Sequence, residues 1–203
     1  MYWQEPCLRS LAATVWRKFM SEWKVGEPGS ANFKPPIVLM GMMGAGKTTV
    51  GRIVAAKLGW QFEDLDAAII RGTGLEIAEM FSRYGEEGFR EREHQYLHEL
   101  LSSSKPLVLA LGGGTVTLPG NRELLKKTAV VWLKGPLSLL YSRVADDAAR
   151  PLASRGWEVF QAIYRQREPW FQSLAWIIED VARRSSEEIA QNIIDIWQTG
   201  SWE

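Results

Sequence analysis

The densest chemical signal in this sequence is Gly41-Met-Met-Gly-Ala-Gly-Lys-Thr48. It fits the pattern GxxxxGK[ST] at every fixed position. The glycines let backbone amides turn inward without Cβ clashes, so several N–H groups converge on one anion-sized hollow. A helix that follows adds the positive end of its dipole. Lys47 can reach the β- and γ-phosphates of a nucleotide, and the Thr48 hydroxyl can ligate magnesium. Gly41, Gly44, Ala45, Gly46, Lys47, Thr48 and Thr49 are therefore the expected nucleotide-binding set. The loop does not name a reaction, because kinases, GTPases, motors and other ATPases all use it.

Three further clusters could complete a site. Asp64-Leu-Asp66 lies just after a second, weaker strand pattern at Trp60–Glu63. In an extended segment its two acids would project to one side and could divide labour between a metal and a substrate hydroxyl. The alternative is a pair of acids capping the next helix. Phe89-Arg-Glu-Arg-Glu93 lies in a helical pattern, where mixed charges usually form a solvated face stitched by ion pairs. Gly112-Gly-Gly114 follows an apolar run, at the strand end where open α/β sheets bind ligands. It reads either as a close approach of backbone to ligand or as a plain turn.

The elements that must position these groups alternate in type. Ile37–Met40, Trp60–Glu63, Leu107–Leu111, Ala129–Leu133 and Ala175–Glu179 read as strands. Helical patterns cover Val50–Leu58, Leu75–Arg83, Glu86–Leu101, Pro136–Ala145 and Trp157–Arg167. A last helix opens at Ser185-Ser-Glu-Glu188, whose spacing is that of a capping box, with Ile189, Ile193, Ile196 and Trp197 on its apolar face. Strands alternating with helices imply a parallel sheet covered on both faces. Residues 1–33 stand apart as an extension. Leu8, Leu11, Ala12, Val15, Trp16, Phe19 and Trp23 recur at helical spacing before a Gly/Pro-containing linker. This segment packs on the domain, frays, or serves association; its pattern leaves all three open.

Bulk composition narrows the class. The 203 residues suit one domain, and Lys plus Arg equals Asp plus Glu at 24 each. A nucleic-acid binder usually carries a basic excess, so that class is disfavoured. Cys7 is the sole cysteine, so no internal disulfide can form, and with two histidines there are too few ligands for a structural zinc. No apolar run approaches a membrane span and no secretory signal opens the chain. A cytoplasmic protein without membrane or nucleic-acid partners is expected. The ten tryptophans are scattered, which fits packing better than a stacking platform.

Taken in order, GxxGxGKT, DLD, FRxxE, GGG, RPL and RxP followed by an aromatic residue resemble the shikimate kinase family. The likeness runs from residue 37 to about 197. It implies a P-loop kinase fold over residues 34–203: an α/β domain with a five-stranded parallel sheet, helices on both faces and a mobile lid. It implies ATP-dependent phosphorylation of shikimate, with Mg2+ as cofactor and ATP and shikimate as partners. By the same resemblance Asp64 is associated with magnesium, and Asp66 binds the reacting hydroxyl as catalytic base. Arg90 and Arg167 hold the substrate carboxylate, and Gly112, Gly113 and Gly114 line that site. Arg150 is the catalytic lid arginine over the phosphates, and Arg143 lies against adenine. A monomer is expected, with the N-terminal helix as the segment that could mediate association.

The sequence departs from the family in two places. After Arg150-Pro-Leu it reads Ala-Ser-Arg-Gly, and Trp170-Phe171 stand where leucine and tyrosine are usual. A kinase of another hydroxy or sugar acid, and a nucleotide-binding regulatory module without turnover, are the alternative readings.

Overall fold

The computed structural model describes residues 35–145 and 156–199. Five strands, β1 Ile37–Met40, β2 Gln61–Asp64, β3 Leu107–Ala110, β4 Ala129–Lys134 and β5 Ile177–Asp180, form one sheet in the order β2-β3-β1-β4-β5. Every pairing is parallel. All residues of β1 and β3 are buried, which requires cover on both faces and explains their uninterrupted apolar sequence. The helices are α1 Lys47–Leu58, α2 Leu65–Thr73, α3 Ile77–Leu101, α4 Pro119–Leu125, α5 Leu137–Ser142, α6 Trp157–Leu174 and α7 Ser186–Thr199. A 3₁₀ turn covers Thr115–Thr117.

Register decides where the chemistry can gather. Ala110 pairs with Asp64 on one side and with Leu39 on the other. The acid pair, the phosphate loop and the glycine run therefore rise from the same carboxyl edge of the sheet. The chain runs out to β2, returns to β3 beside β1, then crosses to β4 on the far side of β1. That reversal of direction leaves a crevice over β1, the place where open parallel sheets receive ligands.

Several expected boundaries move. The segment after Asp64 is helical, not extended, so the acids do not share a face by strand alternation. Asp64 caps α2, accepting the amides of Asp66 at 3.2 Å and Ala67 at 3.4 Å through Oδ1. Leu65, Ala68 and Ile69 then bury one stripe of that helix. The two helices expected on either side of residue 85 form one run in α3, interrupted by non-helical Gly85. Helix α6 continues past Arg167 and through Pro169. An interior proline costs about 3 kcal/mol, whereas burying Phe171 and Leu174 returns about 1.5–3 kcal/mol each. Both are at most 8% exposed, so burial outweighs the lost hydrogen bond. The short helix α4 starts with Pro119 in its first turn, a favoured place for proline that the apolar periodicity did not reveal.

Other expectations hold. The capping box at α7 forms, with Glu188 N–H donating to Ser185 Oγ at 3.2 Å and Ser185 N–H to Glu188 Oε2 at 2.7 Å. Ile189, Ile193 and Trp197 are buried beneath it. Trp132 is a core residue, and Trp60, Trp157, Trp170 and Trp176 pack against the core. Among the described residues no helix is long and apolar enough to cross a membrane. The extension 1–33, and the lid segment with Arg150, lie outside the described residues.

Candidate active site

The phosphate loop joins β1 to α1, and its backbone conformation depends on glycine. Gly44 has φ 82° and Gly46, the cap of α1, has φ 83°, both in the left-handed region. A Cβ on Gly44 would also fall 2.3 Å from the Leu140 carbonyl oxygen, so the loop can lie on α5 only as glycine. Lys47 arches back over the loop and donates to the carbonyls of Gly41 and Met42, each at 3.0 Å. Ala45 is buried within the turn, and Thr49 is exposed one residue beyond Thr48. Arg143 donates to Gly44 O at 3.1 Å, which puts its guanidinium on the rim of the same loop.

Thr48 and Asp64 meet although sixteen residues separate them. The Thr48 hydroxyl donates to Asp64 Oδ2 at 2.8 Å, while Oδ1 of the same carboxylate caps α2. Metal ligand and helix cap, which the sequence posed as alternatives, are compatible because each uses a different oxygen. A hydroxyl and a carboxylate side by side at the phosphate loop are hard oxygen donors. That set suits magnesium, which takes one or two protein oxygens and fills its other positions with phosphates and water.

The acceptor side is built from three helices and the glycine run. Asp66 sits in the first turn of α2, and its carboxyl pKa is raised to about 6. Burial is the main cause, followed by the nearby charges of Asp64 and Glu93, with Lys47 and Arg90 opposing. A Cβ at Gly112 would lie 2.7 Å from Asp66 Oδ1, and one at Gly114 would lie 2.3 Å from Arg90 Nη2. The glycines thus leave room for two polar side chains that lean over the loop. Arg90, on α3, donates to Glu93 Oε2 at 2.7 Å. Arg167, on α6, is 6% exposed and donates to Gly113 O at 2.8 Å. Its pKa falls to about 10, first through burial and then through the neighbouring Arg90 charge. The Nε atoms of Arg90 and Arg167 are both buried without a hydrogen-bond partner among the described residues.

Two residues of this site carried no role in the sequence. Glu93 is 1% exposed and anchors Arg90. Its spacing of three from Arg90 was visible, but burial was not, and a solvated ion pair looks identical in sequence. Thr115 is fully buried and donates its hydroxyl to Glu93 Oε1 at 2.7 Å. Nothing in the sequence marked it.

A protein-family model described as shikimate kinase matches residues 43–198. The chain belongs to the shikimate kinase family. The shikimate kinase of Psychrobacter cryohalolentis is 42% identical over 71% of this chain and 78% of its own length. That of Aromatoleum aromaticum is 44% identical over 72% of this chain and 85% of its own. In three dimensions the chain is similar to the Acinetobacter baumannii shikimate kinase solved in complex with shikimate, with a TM-score of 0.76 at 38% identity. That match covers 83% of this chain and 96% of the other. The parallel five-stranded architecture of this chain, and the motif order along it, agree with that assignment.

Proposed function

We propose that this chain transfers the γ-phosphoryl group of ATP to a hydroxyl of shikimate, releasing ADP and shikimate 3-phosphate. The observation that carries the acceptor half is the pair of guanidiniums beside Gly113 and Gly114, Arg167 buried and Arg90 partly buried, each with an Nε that is buried and has no hydrogen-bond partner among the described residues. The Arg90 charge disfavours the charged form of Arg167, a repulsion that Glu86 and Glu93 oppose only in part, and a carboxylate offers two oxygens that match the forked N–H groups. A carboxylated substrate relieves the repulsion and satisfies the orphan donors at once.

The remaining groups divide the transfer. The loop amides and Lys47 hold the β- and γ-phosphates, and Arg143 borders the nucleotide. Asp66 accepts the proton of the attacking hydroxyl as its oxygen bonds to the γ-phosphorus and the bridging P–O bond to ADP breaks. A carboxylate pushed up to about 6 is a stronger base than an ordinary one and is still ionised at neutral pH. Magnesium, held by Thr48 and Asp64, neutralises phosphate charge when bound. Arg150 takes the lid role that the family resemblance gives it, adding positive charge over the phosphates. We assign the activity to a monomer in the cytoplasm.

Coupled detection of ADP, with and without shikimate, tests the proposal. Release that requires shikimate supports it. Release with a different hydroxy acid only would reassign the acceptor, and tight ATP binding without release would leave a nucleotide-binding module. Asp64→Asn should shift the magnesium dependence to higher concentration, and added metal should partly restore the rate.

A further inference from the structure

We propose that Asn121 and Arg122 are positioning residues for the substrate carboxylate, acting from α4 through the 3₁₀ turn that follows the glycine run. The proposal rests on the reading of Arg90 and Arg167 as the carboxylate site. The turn's own hydrogen bonds lead back into the glycines: Thr115 N–H to Gly112 O at 3.2 Å and Thr117 N–H to Gly114 O at 2.9 Å. Its carbonyls at 115, 116 and 117 are instead taken by two consecutive side chains. Asn121 Nδ2 donates to Thr115 O at 2.9 Å. Arg122 Nη1 donates to Val116 O at 2.7 Å and to Thr117 O at 2.8 Å. Three successive carbonyls gripped from one helix turn leave the exit of the glycine run no freedom to slide.

From that grip two arms reach the two carboxylate-binding arginines. In the first, Asn121 fixes Thr115, whose hydroxyl donates to Glu93, whose other oxygen accepts from Arg90. Asn121, Thr115 and Glu93 are all at most 1% exposed, so each link exchanges hydrogen bonds with protein in place of water. His94 holds the far end. Because the Asn121 amide nitrogen must face the Thr115 carbonyl, its oxygen faces His94 Nδ1 at 2.8 Å, and that nitrogen carries the proton. In the second arm the Arg122 guanidinium lies 4.7 Å from the centre of the Trp170 ring. Trp170 sits on α6 three residues after Arg167, which itself donates to Gly113 O. Trp170 is one of the departures from the family pattern, so this second arm uses a residue outside the usual motif.

A positioning role predicts a signature that a general packing role does not. Displacing the carboxylate fork by a few tenths of an ångström weakens acceptor binding but leaves the phosphate loop alone. The test is steady-state kinetics of the full chain with shikimate and with its uncharged methyl ester, for Arg122→Ala, Arg122→Lys, Asn121→Ala, Trp170→Ala and Trp170→Phe, beside Arg90→Ala. For Arg122→Ala the shikimate KM should rise about tenfold, and the preference for shikimate over the ester should fall by a similar factor. The KM for ATP and the kcat should change little. Arg122→Lys should be intermediate, since an ammonium lacks the planar fork, and Trp170→Phe should recover most of what Trp170→Ala loses. If Asn121→Ala fails to fold, the Arg122 and Trp170 series still decides. Equal losses toward shikimate and ester, or a parallel rise in the KM for ATP, would overturn the proposal. Preference lost in Arg90→Ala but kept in the Arg122 and Trp170 variants would overturn the positioning role alone. Preference kept in Arg90→Ala would overturn the carboxylate site beneath it.

Discussion

The two ends of the active site are made in different ways. The proposed phosphate end is centred on eight consecutive residues, Gly41 to Thr48, that present backbone amides and one lysine. The acceptor end draws Asp66 from α2, Arg90 from α3, three glycines from the loop after β3 and Arg167 from α6. They also differ in electrostatic state. At the acceptor end burial holds Asp66 up at about 6 and Arg167 down at about 10, so both charged forms are disfavoured in the folded protein. Local sequence suffices to build an anion cradle from amides. Binding a charged acceptor takes side chains that tertiary packing must first drive out of water, at a cost to stability that the ligand then offsets.

The contrast can be broken most directly at its phosphate end. Lys47→Met should reduce turnover to background while the thermal transition stays within a few degrees of wild type, because the cradle is backbone and the lost group is one charge. Near-normal turnover in that variant would remove Lys47 from the transfer. Asp66→Asn comes next. It should keep MgATP binding and lose roughly 10²–10⁴-fold in kcat, the usual range for a general base, although a loose phosphoryl-transfer transition state asks less of the base.

The same residue links catalysis to stability. With Asp66 as the proposed base, kcat of the wild type should rise with pH through about 6 and then level off. The folded pKa lies above the model value of 3.8, so the folded state binds this proton more tightly than the unfolded chain. Its favourable contribution is therefore complete below 3.8 and is lost as pH rises through about 6. Asp66→Asn should accordingly melt higher than wild type at pH 8, without nucleotide or metal, and the gap should shrink below pH 4. A lower melting temperature at pH 8 would mean that the carboxylate is stabilised by partners instead of strained by burial.

Arg90→Ala and Arg167→Ala should have the next largest effect. Loss of one charge-assisted contact costs about 1.5–3 kcal/mol, which raises the shikimate KM roughly ten- to more than a hundredfold. The KM for ATP should hardly move, since the hydrogen bonds of both arginines among the described residues go to Glu86, Glu93 and Gly113 and not to the phosphate loop. The smallest effect is expected from deleting residues 1–33. β1 begins at Ile37, and the proposed site needs no residue from the extension, so kcat/KM should be preserved. A drop in activity or in soluble yield on truncation would show that Trp16, Phe19 and Trp23 cover core surface.

The acid pair shows both the reach and the limit of sequence reading. The spacing of Asp64 and Asp66 placed the two acids close together but for the wrong geometric reason: a helix start brings them together, not a strand. That start was hard to see because Leu65, Ala68 and Ile69 form a stripe too short for a clear period. Helix α6 was cut short for the opposite reason, since Pro169 is a strong local signal to stop and the buried Phe171 and Leu174 override it. Had α6 ended at Arg167, Trp170 would not lie on the helical face that reaches Arg122.

By itself the amino-acid sequence determined the alternation of strand and helix, the parallel sheet and the phosphate loop. All three rest on hydrophobic period, glycine conformation and spacing within a few residues, which act before any distant contact forms. Tertiary structure alone decided that Glu93 is a buried anchor and not a surface charge. It likewise decided that Thr115, Asn121 and Arg122 face the glycine run, and that the Nε atoms of Arg90 and Arg167 are left without partners among the described residues. The physical reason is that a side chain's charge and hydrogen bonds depend on what surrounds it. For these residues the surroundings come from other elements of the chain, brought near only when the sheet closes its register.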